Sequence, residues 1–128
     1  MSGETDLSVL LRSAKPEHNL GNYVFCHVSD VSGINISKCV MMFKERESIT
    51  LVLTQDLADE WALEYSSVFS WITLTVHSSL EAVGLTAAFS TALAKQNISC
   101  NVVAAFYHDH IFVGVADLET AMDILSNL

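Results

Sequence analysis

The sequence repeats itself, and a repeat constrains a fold more tightly than any single motif, because each copy has to build the same supersecondary unit. At an offset of 62 residues the segment opening Ile36-Ser37 matches the one opening Ile98-Ser99. Laid side by side, Val40 meets Val102, Met41 meets Val103 and Glu47 meets Asp109. The alternating Ile49, Leu51 and Leu53 meet Ile111, Val113 and Val115. Alternation of this kind has the period of a strand. Each copy therefore predicts an apolar strand, a polar turn (residues 44–48 and 107–110), a second strand and a helix.

The closing helix of the second copy has Asp117 placed to cap it, with Leu118, Ala121, Met122 and Leu125 spaced to bury one face. In the first copy Thr54 is the cap, and Leu57, Ala58, Trp61 and Ala62 line a shorter helix ending near Leu63. Upstream of each hairpin lies a further strand-like run, residues 23–28 and 69–76, and these two align at an offset of 48. The difference between 62 and 48 leaves 14 extra residues in the second half, enough for one helix. There Gly84 precedes an amphipathic run with Leu85, Ala88, Phe89, Ala92 and Leu93 on one face. In the first half only residues 29–35 link strand to hairpin, fewer than the dozen or so that a crossover needs. The amphipathic segment around Leu7, Leu10 and Leu11 is a candidate for the vacant helix position.

Composition agrees with one compact body of 128 residues. It is 51% hydrophobic and 16% charged, with a single proline, so a packed core is affordable and disorder is not expected. Six basic against fifteen acidic residues give a formal charge of -9, which repels a phosphate backbone and an anionic lipid surface alike. No nucleic-acid or membrane partner is expected. Cys26, Cys39 and Cys100 are scattered and odd in number, which points away from a disulfide framework and towards a cytoplasmic setting. The acidic start does not read as a signal peptide, and the longest stretch without a charge, residues 65–80, is too short and too rich in serine to span a bilayer.

A strand leading into a loop, then Gly84-Leu85 opening a helix, then Asn97-Ile98-Ser99 leading into the next strand, resembles the ACT domain family of amino-acid-sensing regulatory modules. The run from Trp71 to Leu80 adds a likeness to small stand-alone bacterial proteins with two ACT-like units. The resemblance implies an α+β, ferredoxin-like fold: antiparallel sheets with helices on one face, in two pseudo-repeated units. Residues 1–65 would form a degenerate N-terminal unit and residues 66–128 the C-terminal one. Neither half ends with the last strand of a standard ACT unit, so strand exchange between halves or chains is expected to supply it.

In such a second half one end of the sheet gathers His77, the loop 78–83 with Glu81 and Val83, Gly84, and the turn 107–110. The free backbone N–H groups at Gly84, Leu85 and Thr86 suit a carboxylate, because unsatisfied donors and the helix dipole both favour negative charge. An amino acid brings that carboxylate, and its ammonium needs acceptors. Glu81, Asn101 and loop carbonyls are candidates from the second half, and Asp30 from the first. The plain alternatives stay open: Gly84 as an ordinary helix start, Asn101 as an amide on the sheet edge, Glu81 and Asp30 as solvated loop carboxylates.

His108-Asp109-His110, with His77, has ligand chemistry for a metal, yet the three are expected across a tight turn matching the charged turn 44–48, so no metal site and no cofactor is expected. No nucleophile stands beside a base, and no phosphate-loop or zinc-protease motif occurs. The expectation is a non-catalytic amino-acid-binding regulatory module that forms a homodimer. The alternative is a structural or interaction protein whose sheets mediate oligomerisation without a ligand.

Overall fold

The computed structural model describes residues 6, 9, 14–75 and 84–128. The chain forms two compact units, one of Gly21–Phe69 and one of Met1–Leu20 with Ser70–Leu128.

Within Gly21–Phe69 the strand order is β2 (Met41–Lys44), β3 (Ile49–Thr54), then the later residues of β1 (Pro16–Val28). Both pairings are antiparallel: Tyr23 lies opposite Thr54 and Val28 opposite Ile49, while Met41 lies opposite Val52 and Lys44 opposite Ile49. Alternate residues therefore share a face, and Val24, Cys26, Leu51 and Leu53 meet Ala58 in a core. Ala58 belongs to α1 (Gln55–Glu60), whose first turn is closed by Thr54, the hydroxyl accepting from the Leu57 N–H at 3.3 Å. Leu57 and Trp61 pack on the same core. Ala62 does not join them: it is exposed and left-handed at φ 55, so the helix stops sooner than its apolar spacing suggests. Asn35 accepts from the Ser37 N–H at 3.2 Å and winds Ile36–Lys38 into a 3₁₀ turn, which leaves a long connection and no crossover helix between β1 and β2.

The other unit runs through β4 (Phe69–Leu74), α2 (Leu85–Lys95), β5 (Cys100–Ala104), β6 (Asp109–Gly114) and α3 (Leu118–Ser126). Its strand order is β1-β4-β6-β5, with the first residues of β1 beside β4, and the Thr75 N–H donates to the Lys15 carbonyl at 2.9 Å. The strand that the second half lacks at its end is thus drawn from Pro16–Leu20 of the same chain. On the helix side Ile72, Leu74, Ile111 and Val113 meet Leu85, Phe89 and Leu93 of α2 and Ala121 and Leu125 of α3. These helix positions recur at four-residue intervals, which keeps them on a single buried stripe. Asp117 makes no side-chain cap, because a 3₁₀ turn over Val115–Asp117 leads into α3 and leaves Asp117 in a helical conformation. The segment around Leu7, Leu10 and Leu11 lies outside the described residues.

The two hairpins are equivalent, but their offset is 60 rather than 62. The turns close on the Glu45 N–H to Ser48 carbonyl bond (2.9 Å) and the Ala105 N–H to His108 carbonyl bond (3.0 Å). Met41 stands opposite Val52 as Asn101 stands opposite Phe112. Leu51 therefore corresponds to Ile111 and Leu53 to Val113, whereas Val115 has left the strand and is exposed. A slip of two keeps every side chain on its own face, which is why the apolar pattern matched at either offset.

Candidate functional site

The approach to α2 is set by one residue. Gly84 is the N-cap at φ 89 and ψ -10, a left-handed conformation that costs any residue with a Cβ. Its carbonyl accepts the first helical bond, from the Ala88 N–H at 2.8 Å, and as a glycine it has no side chain with which to cap the helix. The N–H groups of the first turn precede any intrahelical acceptor, and the helix dipole adds to their field. The Leu85 side chain is buried in the core, so this residue offers only its backbone N–H.

Chain direction decides what shares that end of the unit. The eleven residues of α2 span about 16 Å at roughly 1.5 Å each. The five of β5 return about the same distance. Gly84 is therefore level with the turn 105–108, where β4 has ended and β6 begins. The turn carries Phe106 and Tyr107, each about 60% exposed and packed edge to face with centroids 4.9 Å apart. Asn101 stands near the opposite end of β5, exposed and paired with Phe112, so the strand does not bring it beside Gly84. Asp30 belongs to the other compact unit. It is exposed and takes the Ser32 N–H at 2.7 Å, and the Ser32 hydroxyl and N–H hold its carboxyl below the usual range. His77, Glu81 and Val83 lie outside the described residues.

A polar network that sequence reasoning missed crosses the sheet of this unit. Trp71 donates its indole N–H to His110 Nδ1 at 3.0 Å, and Thr73 Oγ1 lies 3.0 Å from the same nitrogen. Asn19 donates to Thr73 Oγ1 at 2.9 Å and to the Trp71 carbonyl at 3.3 Å. Burial first, and the charge of His108 second, push the His110 imidazole below its ordinary range. Asp109 is buried as the first residue of β6, and burial pushes its carboxyl up against a smaller opposing effect of His108. Asp109 and His110 are thus strand residues and not turn residues, and as neighbours they point to opposite faces. Among the described residues no three His, Cys, Asp or Glu side chains gather as metal ligands.

The remaining chemistry is sparse. A cavity of about 230 Å³ in the Gly21–Phe69 unit is lined by Gly21, Asn22, Thr54, Gln55 and Asp56. Burial pushes the thiols of Cys26, Cys39 and Cys100 up, which keeps all three protonated near neutrality. No described helix is long and apolar enough to cross a membrane.

Comparison with known proteins follows the same lines. ACT domain profiles match residues 2–70 and residues 66–127. A Vibrio cholerae protein of unknown function, described as a possible transport protein, is 48% identical over 94% of both chains, with a TM-score of 0.84. The ligand-free regulatory subunit of aspartate kinase from Thermus thermophilus is 7% identical, with 88% of this chain and 96% of that one covered at a TM-score of 0.62. The aspartate kinase of Clostridium acetobutylicum is 13% identical over 89% of this chain and 33% of its own, with a TM-score of 0.66. No curated protein matches the sequence.

Proposed function

The chain belongs to the ACT domain family, and from that premise we propose that it is a non-catalytic regulatory module binding an amino acid, or a similar small molecule, at the N-terminus of α2. The observation that carries the reading is the first turn of α2 behind a left-handed Gly84, an N-cap with no side chain of its own. A carboxylate fits those N–H groups by charge and by hydrogen bonding, and Gly84 has no side chain of its own to compete for them. The regulatory role draws support from the fold shared with an aspartate kinase regulatory subunit. In chain order the site belongs to the C-terminal ACT-like unit, 66–128, closed by the strand from Pro16–Leu20; residues 1–65 are the degenerate unit. The three free thiols suit a cytoplasmic protein, and a homodimer is the assembly through which binding would be transmitted.

One observation favours a second reading. Phe106 and Tyr107 stand exposed at a hairpin tip, as an interaction surface would require. Thermal unfolding against the twenty amino acids separates the two. A ligand that binds only the folded state at 100 times its dissociation constant adds about 2.7 kcal/mol. A flat response across the panel at millimolar concentration leaves the protein as an interaction module.

A further inference from the structure

We propose that His110 is a protonation switch within the C-terminal unit: proton uptake at its Nδ1 expels the Trp71 indole and reverses the hydrogen bond to Thr73, the residue that also holds Asn19 of β1. The argument starts from an asymmetry of donors. An indole N–H only donates, so the nitrogen that Trp71 approaches at 3.0 Å has to be the bare, accepting one. His110 is therefore the neutral tautomer with its proton on Nε2. The Thr73 hydroxyl spends its oxygen on the Asn19 amide at 2.9 Å and has its own proton left for the same Nδ1. Two donors thus converge on one lone pair. A proton there turns the acceptor into a third donor: the indole N–H loses its bond, and the Thr73 bond survives only by reversing, with the hydroxyl turned to accept on its second lone pair.

The consequence bears on β1 because both attachments of Asn19 are to the two residues that His110 holds. One is Thr73 Oγ1 and the other is the carbonyl of Trp71, whose indole is the second donor to His110. Trp71 also lies against the His110 ring, with centroids 5.6 Å apart. No compensating anion faces the imidazole among the described residues. From β4 it meets Trp71 and Thr73, and from β5 it stands opposite Val103. The His108 side chain adds a like charge when protonated, and Asp109 points to the other face. Glu17 and His18 of β1, and Lys15 just before it, are separated from β6 by β4. Desolvation works in the same direction as the donors, so the neutral form is held below the ordinary imidazole range near 6.5.

For a histidine lowered in the folded state, the bond network is intact above the ordinary value and is lost as the pH falls from about 6.5 through the lowered one. The test is amide exchange over residues 16–20 and 70–75, corrected for intrinsic rates, in the wild type and in His110→Gln, whose amide oxygen accepts the same two bonds without titrating. In the wild type, protection should fall with pH across that window, by at most about tenfold per pH unit, and His110→Gln should stay flat. Equal pH dependence in both, or none in the wild type, overturns the proposal. Long-range imidazole nitrogen spectra of the unmodified protein give an answer that no folding defect can blur. A bare Nδ1 with titration below 6.5 supports the switch, and a protonated Nδ1 at neutral pH refutes it.

Discussion

Truncating Ile111, Leu51 and Ile49 to alanine, one at a time, distinguishes the hairpin equivalence that the fold displays from the one that apolar matching suggests. Ile111 and Leu51 are both fully buried and both point at helices, Ile111 in the core with α2 and α3 and Leu51 in the core with α1. Ile49 opens β3 opposite Val28 and is only half-buried. Each substitution removes three carbons, or about 2.4 kcal/mol of transfer free energy at roughly 0.8 kcal/mol per buried carbon. In a packed core the cavity left behind raises the loss to about 3 to 4 kcal/mol. At the half-buried position about 1 kcal/mol is expected, since half of the transfer is already forgone and the strand end can relax. Urea unfolding followed by far-ultraviolet circular dichroism reads all three. Resolved transitions, if the two compact units unfold separately, are to be fitted one by one. The account requires Ile111→Ala and Leu51→Ala to form the matched pair. Ile49→Ala costing as much as Ile111→Ala, with Leu51→Ala mild, would refute the offset of 60.

Gly84→Ala should cost about 1 kcal/mol for its left-handed backbone, whereas Gly84→Asn, which tolerates that conformation, should fold nearly as well yet obstruct a carboxylate; calorimetric titration with the best amino acid of the panel should then find binding lost. Thr54→Ala should remove the cap of α1 and about 1 kcal/mol, measured by urea unfolding. Asp109→Asn should stabilise the protein at pH 7. Burial raises the folded carboxyl above 3.8, so its contribution is present below that value and is lost as the pH rises through the raised one. Denaturant midpoints for variant and wild type should therefore converge near pH 3.5.

Much of this fold is legible in the sequence because strand and helix periods are local. The stripe of Leu85, Phe89 and Leu93 and the alternation of Leu51 with Leu53 are each written within one element. The register was not, since a period of two cannot tell 60 from 62. Pro16–Leu20 escaped notice for a different reason. The segment is polar, opens on a proline and exposes Leu20 at 84%, so only its pairing with β4 makes it a strand. The left-handed Gly84 at the head of α2 was readable from glycine before an apolar run. The His110 network was not, because Asn19, Trp71 and Thr73 come to it from 37 or more residues away and none carries a motif.

The most direct test of the account follows the backbone amides of the labelled protein by NMR while the best amino acid of the panel is added. A carboxylate held by the first turn of α2 should move the N–H resonances of Gly84, Leu85 and Thr86 downfield first and furthest, with saturation at one ligand per site. Saturable shifts confined to Gly21, Asn22 and Gln55 around the other cavity, or no saturable shift at all, would contradict it.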